Sequence, residues 1–178
     1  IVAASDRHGG KEGARNFFLD TMTRAMRRLA EQVHPAFPVT IYYAHKDGTG
    51  WPPMIDAIRQ AGLIITASGL VYTERQARKN ALSSQTLSTS ALLVCRRREN
   101  ELPVLEEEEF LCQIKSEAKT VSERYSASGL SHMDVKQAVI AHVMALYTRC
   151  NIVTTAGSQM NATNVLKIID GFFDIAKK

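Results

Sequence analysis

The stretch AHKDGTGWPPM, residues 44–54, is where this sequence comes closest to a catalytic or ligand-binding loop. Enzymes that methylate exocyclic amino groups use an Asp/Asn/Ser-Pro-Pro-aromatic loop, whose polar side chain holds the attacking amine while the aromatic ring stacks on an extruded base. Here the tetrapeptide is Trp51-Pro52-Pro53-Met54. Its first residue cannot accept amine hydrogen bonds and its last is not aromatic. A dinucleotide fingerprint would need a third glycine after Gly48-x-Gly50 and an acid about 20 residues on. Asp47-Gly48 is instead a good turn pair, and paired prolines suit a first helical turn, where no amide donor is required. The stretch therefore reads as a strand-to-helix connection.

The remaining candidates are scattered. His45 is either an acid or base or a hydrogen-bonded residue at a strand end. The segment 75–87 carries Arg75, Arg78 and Lys79 among amides and hydroxyls, side chains that contact phosphates, although a solvated basic loop has the same composition. Arg96, Arg97 and Arg98 form a denser cluster. Arg7-His8-Gly9-Gly10 is a polar turn before a helix, a place where an anion can approach or where the chain simply turns. Glu106–Glu109 suits the positive end of a helix dipole. His132 and His142 lack metal-ligand spacing, so no metal site is expected. Cys95, Cys112 and Cys150 are odd in number and far apart, which argues against a disulfide framework or zinc knuckle and fits a reduced, cytoplasmic protein. The net charge of +4 leans mildly toward polyanions. No apolar stretch approaches a membrane span, and no signal peptide is visible.

The elements that position these residues follow from periodicity. Ala14, Phe17, Phe18, Met22, Ala25, Leu29 and Val33 recur at helical spacing, with Arg24, Arg27 and Arg28 largely opposite them, and Pro35 closes the helix. FPVTIYYAH (37–45) reads as a buried strand. A helix then starts at the prolines, places Met54, Ile55, Ala57, Ile58 and Ala61 on one face and stops at Gly62. Strands are expected over 63–74 and 87–98. This is the order of half a doubly wound α/β sheet, and the two consecutive strands suggest an antiparallel pair closing one edge. A charged break containing Pro103 follows. Beyond it three helical stripes run through Phe110–Tyr125, Val135–Tyr147 (started by Ser131) and Val165–Phe173 (capped by Asn161). The expected organisation is an α/β unit over 1–100 and a helical appendage over 101–178.

In such sheets ligands sit beyond the carboxyl ends of the parallel strands. His45, Lys46 and Asp47 leave the first strand on that edge. Tyr72, Thr73, Glu74 and Arg75 leave the second beside it, with the 75–87 loop above. Arg96–Arg98 end an antiparallel strand and point to the opposite edge.

Taken together, RHGGKEGARNFF (7–18), AHKD…W (44–51), IRQAGLIITAS…TER (58–75), STSALLVCRRR (88–98) and VMALYTRCNIVTTAGSQMNATNVLKIID (143–170) resemble the C-terminal region of large prokaryotic adenine-specific DNA methylases. The resemblance runs through most of the chain and rests on the succession of segments rather than on one motif. It implies a partial Rossmann-like methyltransferase sheet followed by a helical tail. It also implies a parent enzyme that transfers methyl from S-adenosylmethionine to the N6 amine of adenine in DNA. The family's Phe-x-Gly-x-Gly cofactor loop and Asp-Pro-Pro-Tyr catalytic loop lie upstream of the matched region and do not occur here. The chain, which starts at Ile1 without Met, would thus be a fragment, inactive alone, with no cofactor site of its own and the upstream half of the enzyme as its partner. Lys46, Arg75, Arg78 and Lys79 would contact DNA. His45, Tyr72, Thr73 and Glu74 would line the active-site edge, where Tyr72 either approaches an extruded adenine or covers the sheet. Gly69-Leu70 stands where the family usually has Trp-Pro, so a wall at that point is not carried over. A sheet cut from its parent exposes an edge and could dimerise there. The other classes in play are a non-catalytic nucleic-acid-binding module and a protein-interaction domain docking through its helices.

Overall fold

The computed structural model describes residues 4–45, 48–73 and 87–175. A 3-10 turn at Ser5–Arg7 leads through Gly9 and Gly10, both at positive φ, into helix α1, Lys11–Gln32. The turn folds back so closely that a side chain at Gly13 would collide with the backbone oxygen of His8. α1 buries Ala14, Thr23, Met26 and Ala30, while Phe17 and Leu29 are exposed and Arg24, Arg27 and Arg28 face solvent. The apolar stripe is thus rotated from the expected one. Phe17 is drawn aside by stacking on His8, with ring centroids 3.9 Å apart.

Strand β1 (Val39–Tyr43), helix α2 (Trp51–Gln60) and strand β2 (Leu63–Tyr72) form a β-α-β crossover. Trp51, Pro52 and Pro53 are all buried in the first turn of α2, and Gly62 at φ +74° ends it. Strand β3, Thr89–Arg97, pairs antiparallel with both earlier strands, in the order β1-β3-β2. β2 and β3 are therefore an antiparallel pair as expected, but they do not close an edge. A helical crossover moves the chain past a gap one strand wide, and β3 returns into that gap as the centre of the sheet. The strand expected to be buried, β1, is instead an edge strand with Thr40 and Tyr42 exposed.

Thr89, Ala91, Leu93 and Cys95 of β3 are buried on one face, whereas Ser90, Leu92 and Val94 on the other are half-buried. α1 and α2 pack against each other, and α2 also touches α5, Ala162–Ile175. Helix α4, His132–Thr148, packs on β2 and β3 and has α3, Glu107–Ala127, as its outer neighbour. Ser131 caps α4 through the amide of Asp134 (3.2 Å), and Asn161 caps α5 through the amide of Asn164 (2.9 Å). The core runs without interruption from Trp51, Ile55 and Leu93 to Val139, Val143, Val165 and Ile169, so residues after 100 share the core of residues before it. A second small sheet, parallel β4 (Val104–Glu106) and β5 (Asn151–Val153), ties the charged break to the segment after α4. No helix among the described residues is long and apolar enough to cross a membrane.

Candidate functional site at the carboxyl edge of the sheet

Register places Tyr43 opposite Ala91 and Tyr72 opposite Thr89. The ends of β1 and β2 and the start of β3 thus lie at one end of the sheet, the edge to which sequence reasoning assigned the site. His45, just past β1, is half-buried and borders two cavities. One, about 610 Å³, is lined by Ser5, Lys11, Arg15, Tyr43, His45 and Gly50 among others. The other, about 90 Å³, lies between His45, Leu87, Gln137 and Ile140. A side chain at Gly50 would run into the His45 ring and the Tyr43 hydroxyl, so glycine there sets the position of both. The Tyr43 ring meets buried Trp51 edge-on, with centroids 5.0 Å apart.

The turn before α2 is no phosphate cradle. The amide of Trp51 donates to the Gly48 oxygen (3.0 Å) and that of Met54 to the Gly50 oxygen (3.4 Å), while the two prolines between them have no N–H. The first turn therefore offers an anion no free amide. Positive charge near this edge comes from α1 instead. Lys11 and Arg15, one turn apart and exposed, rim the larger cavity without an ion pair among the described residues, and Arg15 Nη2 donates to Thr163 Oγ1 at 3.2 Å. Sequence reasoning missed these two because α1 precedes the sheet, and its N-terminus reaches the carboxyl edge only through tertiary packing.

Beside β2, Tyr72 is 58% exposed. The Thr73 hydroxyl pairs with that of Ser90 at 3.0 Å, and the Thr73 amide donates to the Ser88 oxygen. This side of the edge is anchored by Asp134, a fully buried carboxylate. It accepts hydrogen bonds from the amides of Ser88 and Thr89 (both 3.0 Å) and from the hydroxyls of Ser88 (2.7 Å), Thr89 (2.7 Å) and Ser131 (2.6 Å). Burial alone would raise its pKa, but the hydrogen bonds from Ser131, Thr89 and Ser88 outweigh it and hold the carboxyl below its ordinary value. Gln137 Nε2 donates to the Thr89 oxygen (2.7 Å), fixing the same strand start. In sequence, only the Ser131-x-x-Asp134 cap spacing hints at this network.

The structure therefore brings His45, Tyr72 and Thr73 to one edge. Lys46, Glu74, Arg75, Arg78 and Lys79 lie outside the described residues. Arg96, Arg97 and Arg98 do sit at the opposite end, around a cavity of about 440 Å³ shared with Arg149, Glu99 and Glu101. No group of three or more His, Cys, Asp or Glu residues among the described residues could hold a metal ion. Comparison of the chain with protein-family models, curated proteins and solved structures finds no match.

Proposed function

We propose that this chain is the closing part of an S-adenosylmethionine-dependent DNA methyltransferase acting on the N6 amine of adenine. The observation that carries the reading is the sheet order. A β-α-β crossover with the next strand threaded antiparallel between its two strands is how a Rossmann-like methyltransferase sheet ends. The warrant is one of fold analogy joined to the succession of family-like segments. The described residues do not themselves fit the cofactor, because the turn at Gly48–Met54 keeps its amides for internal bonds and no glycine-rich loop is present. In this reading the cofactor and the target amine are held by residues N-terminal to Ile1.

The chain's own contribution is then positioning. Gly50, Tyr43 and Trp51 hold His45 at the edge, and Asp134 pins the start of β3 so that the two ends of the 74–86 segment stay fixed. The cations of that segment, with Lys11 and Arg15, supply phosphate contacts whose affinity falls steeply with salt. The test is transfer of labelled methyl from S-adenosylmethionine to adenine-containing duplex DNA. The protein of the full reading frame is compared with residues 1–178 alone. Transfer to the adenine amine by the first and none by the second is expected. Transfer by residues 1–178 alone would overturn the reading, as would a full-frame protein that binds duplex without methylating it; the latter would favour a non-catalytic nucleic-acid-binding module.

A further inference from the structure

The two outer strands of the main sheet have very different free sides. That of β2 is closed by the end of α4. The Ile65 amide donates to Thr148 Oγ1 (2.9 Å), Arg149 Nε donates to the Ile65 oxygen (2.7 Å) and Arg149 Nη2 to the Thr66 oxygen (2.8 Å). Along β1 no strand among the described residues pairs on the outer side. Nor does β1 carry the features that discourage pairing there: its sequence, VTIYY, has no charge and no proline, and its ladder to β3 has no bulge. Phe37, just before it, and Tyr42, within it, are 66% and 61% exposed.

Topology says what should lie there. α1 and α2 form one helical layer on the sheet. Crossovers from one strand to a parallel one are right-handed almost without exception. Two crossovers of one hand with helices in one layer must step across the sheet in the same direction. The step through α2 goes from β1 toward β3 and β2. A strand feeding α1 therefore lies on the far side of β1, parallel to it. The chain's entry into α1 agrees: Ser5 and Lys11 line the same cavity as Tyr43 and His45, at the carboxyl end of β1, where a parallel neighbour would release the chain.

We propose that a further β-strand, supplied by residues N-terminal to Ile1, pairs parallel to β1 along its outer side and leads into α1. This holds for any α/β parent and does not require methyl transfer. The test is amide hydrogen exchange on the protein of the full reading frame, with β3 as internal reference because both its sides are paired. The β1 amides should exchange within about tenfold of those of β3, whereas in residues 1–178 alone they should exchange roughly 100-fold faster or more. Fast β1 exchange in the full-frame protein would overturn the proposal. Protection that appears only as protein concentration rises would overturn it too, since the occupant would then be a second copy. Close Hα–Hα contacts between β1 and its new neighbour would mark an antiparallel partner and would overturn it as well. A full-frame protein that fails to methylate yet protects β1 would sink the proposed activity and leave this inference standing.

Discussion

Cys95 lies on the buried face of β3 without exposed surface, and burial pushes its thiol up to about 12. Burial also raises the Cys150 thiol, whose sulfur sits 3.5 Å from the Leu146 oxygen, while Cys112 is exposed on α3. The thiolate is the reactive form, so an alkylating reagent at pH 8 should modify Cys112 alone in the folded protein and all three cysteines in urea, as read by intact mass. Labelling of Cys95 under native conditions would mean that the sheet opens. Asp134 gives a prediction with a pH signature. Its pKa is held below that of the unfolded chain, so its contribution to stability is present at neutral pH and is lost as pH falls through the folded value. Asp134→Asn should destabilise by about 2–3 kcal/mol at pH 7, since buried donors lose a charged acceptor. The deficit in urea denaturation should shrink below about pH 4, where wild type loses the same charge. Asp56 runs the other way: burial raises its pKa despite Arg15 and Arg59. Its ionisation opposes folding as pH climbs through the carboxylate range, so the slope attributed to Asp134 must be read from the variant pair rather than from wild type alone.

Arg59 ties separate elements together. From the last turn of α2 it donates Nη1 to the oxygens of Tyr147 (2.6 Å) and Cys150 (3.1 Å) and Nη2 to Asn151 Oδ1 (2.9 Å). Its guanidinium also lies over the Tyr147 ring, 4.2 Å from the centroid. It thus satisfies carbonyls that the end of α4 leaves open and joins that end to β5. Arg59→Met keeps the apolar stem but removes these donors, and should lower stability by about 2 kcal/mol in urea unfolding. A loss below roughly 0.5 kcal/mol would show that water replaces the guanidinium there. The helices were legible in sequence where a cap or stop stood beside a stripe: Pro52-Pro53 and Gly62 for α2, Ser131 for α4, Asn161 for α5. β4 and β5 were not, because three-residue strands carry no periodicity. The place of β3 was hidden for another reason, since order along the chain does not give order across a sheet. Within the site, His45, Tyr72 and Thr73 could be placed from strand ends alone. Lys11 and Arg15 could not, because nothing local in α1 says where its N-terminus comes to rest.

Over the whole molecule, composition drew a line near residue 100 that the packing crosses. Ile65 in β2 depends on Thr148 and Arg149 for its outward backbone groups, and the start of β3 depends on Asp134 and Gln137. The α/β layer therefore has buried polar groups satisfied only by later residues, and its core continues into α4 and α5. Residues 1–100 on their own would expose Leu63, Ile65 and Leu93, all fully or nearly fully buried here, and would lose the acceptors that fix both ends of the sheet. The chain is accordingly expected to unfold as one unit. Trp51, its one tryptophan, is fully buried beside Tyr43 at the centre of the α/β part, whereas most helix lies in α1, α3, α4 and α5. Tryptophan fluorescence and far-ultraviolet circular dichroism therefore follow different parts of the same chain. In urea the two curves should coincide, with one midpoint and one slope, and residues 1–100 alone should show neither a native tryptophan spectrum nor a cooperative transition. Two separated midpoints, with the helical signal lost first, would instead make the region after residue 100 an independent appendage, and the bonds from Thr148 and Arg149 to β2 would then be a contact between two domains.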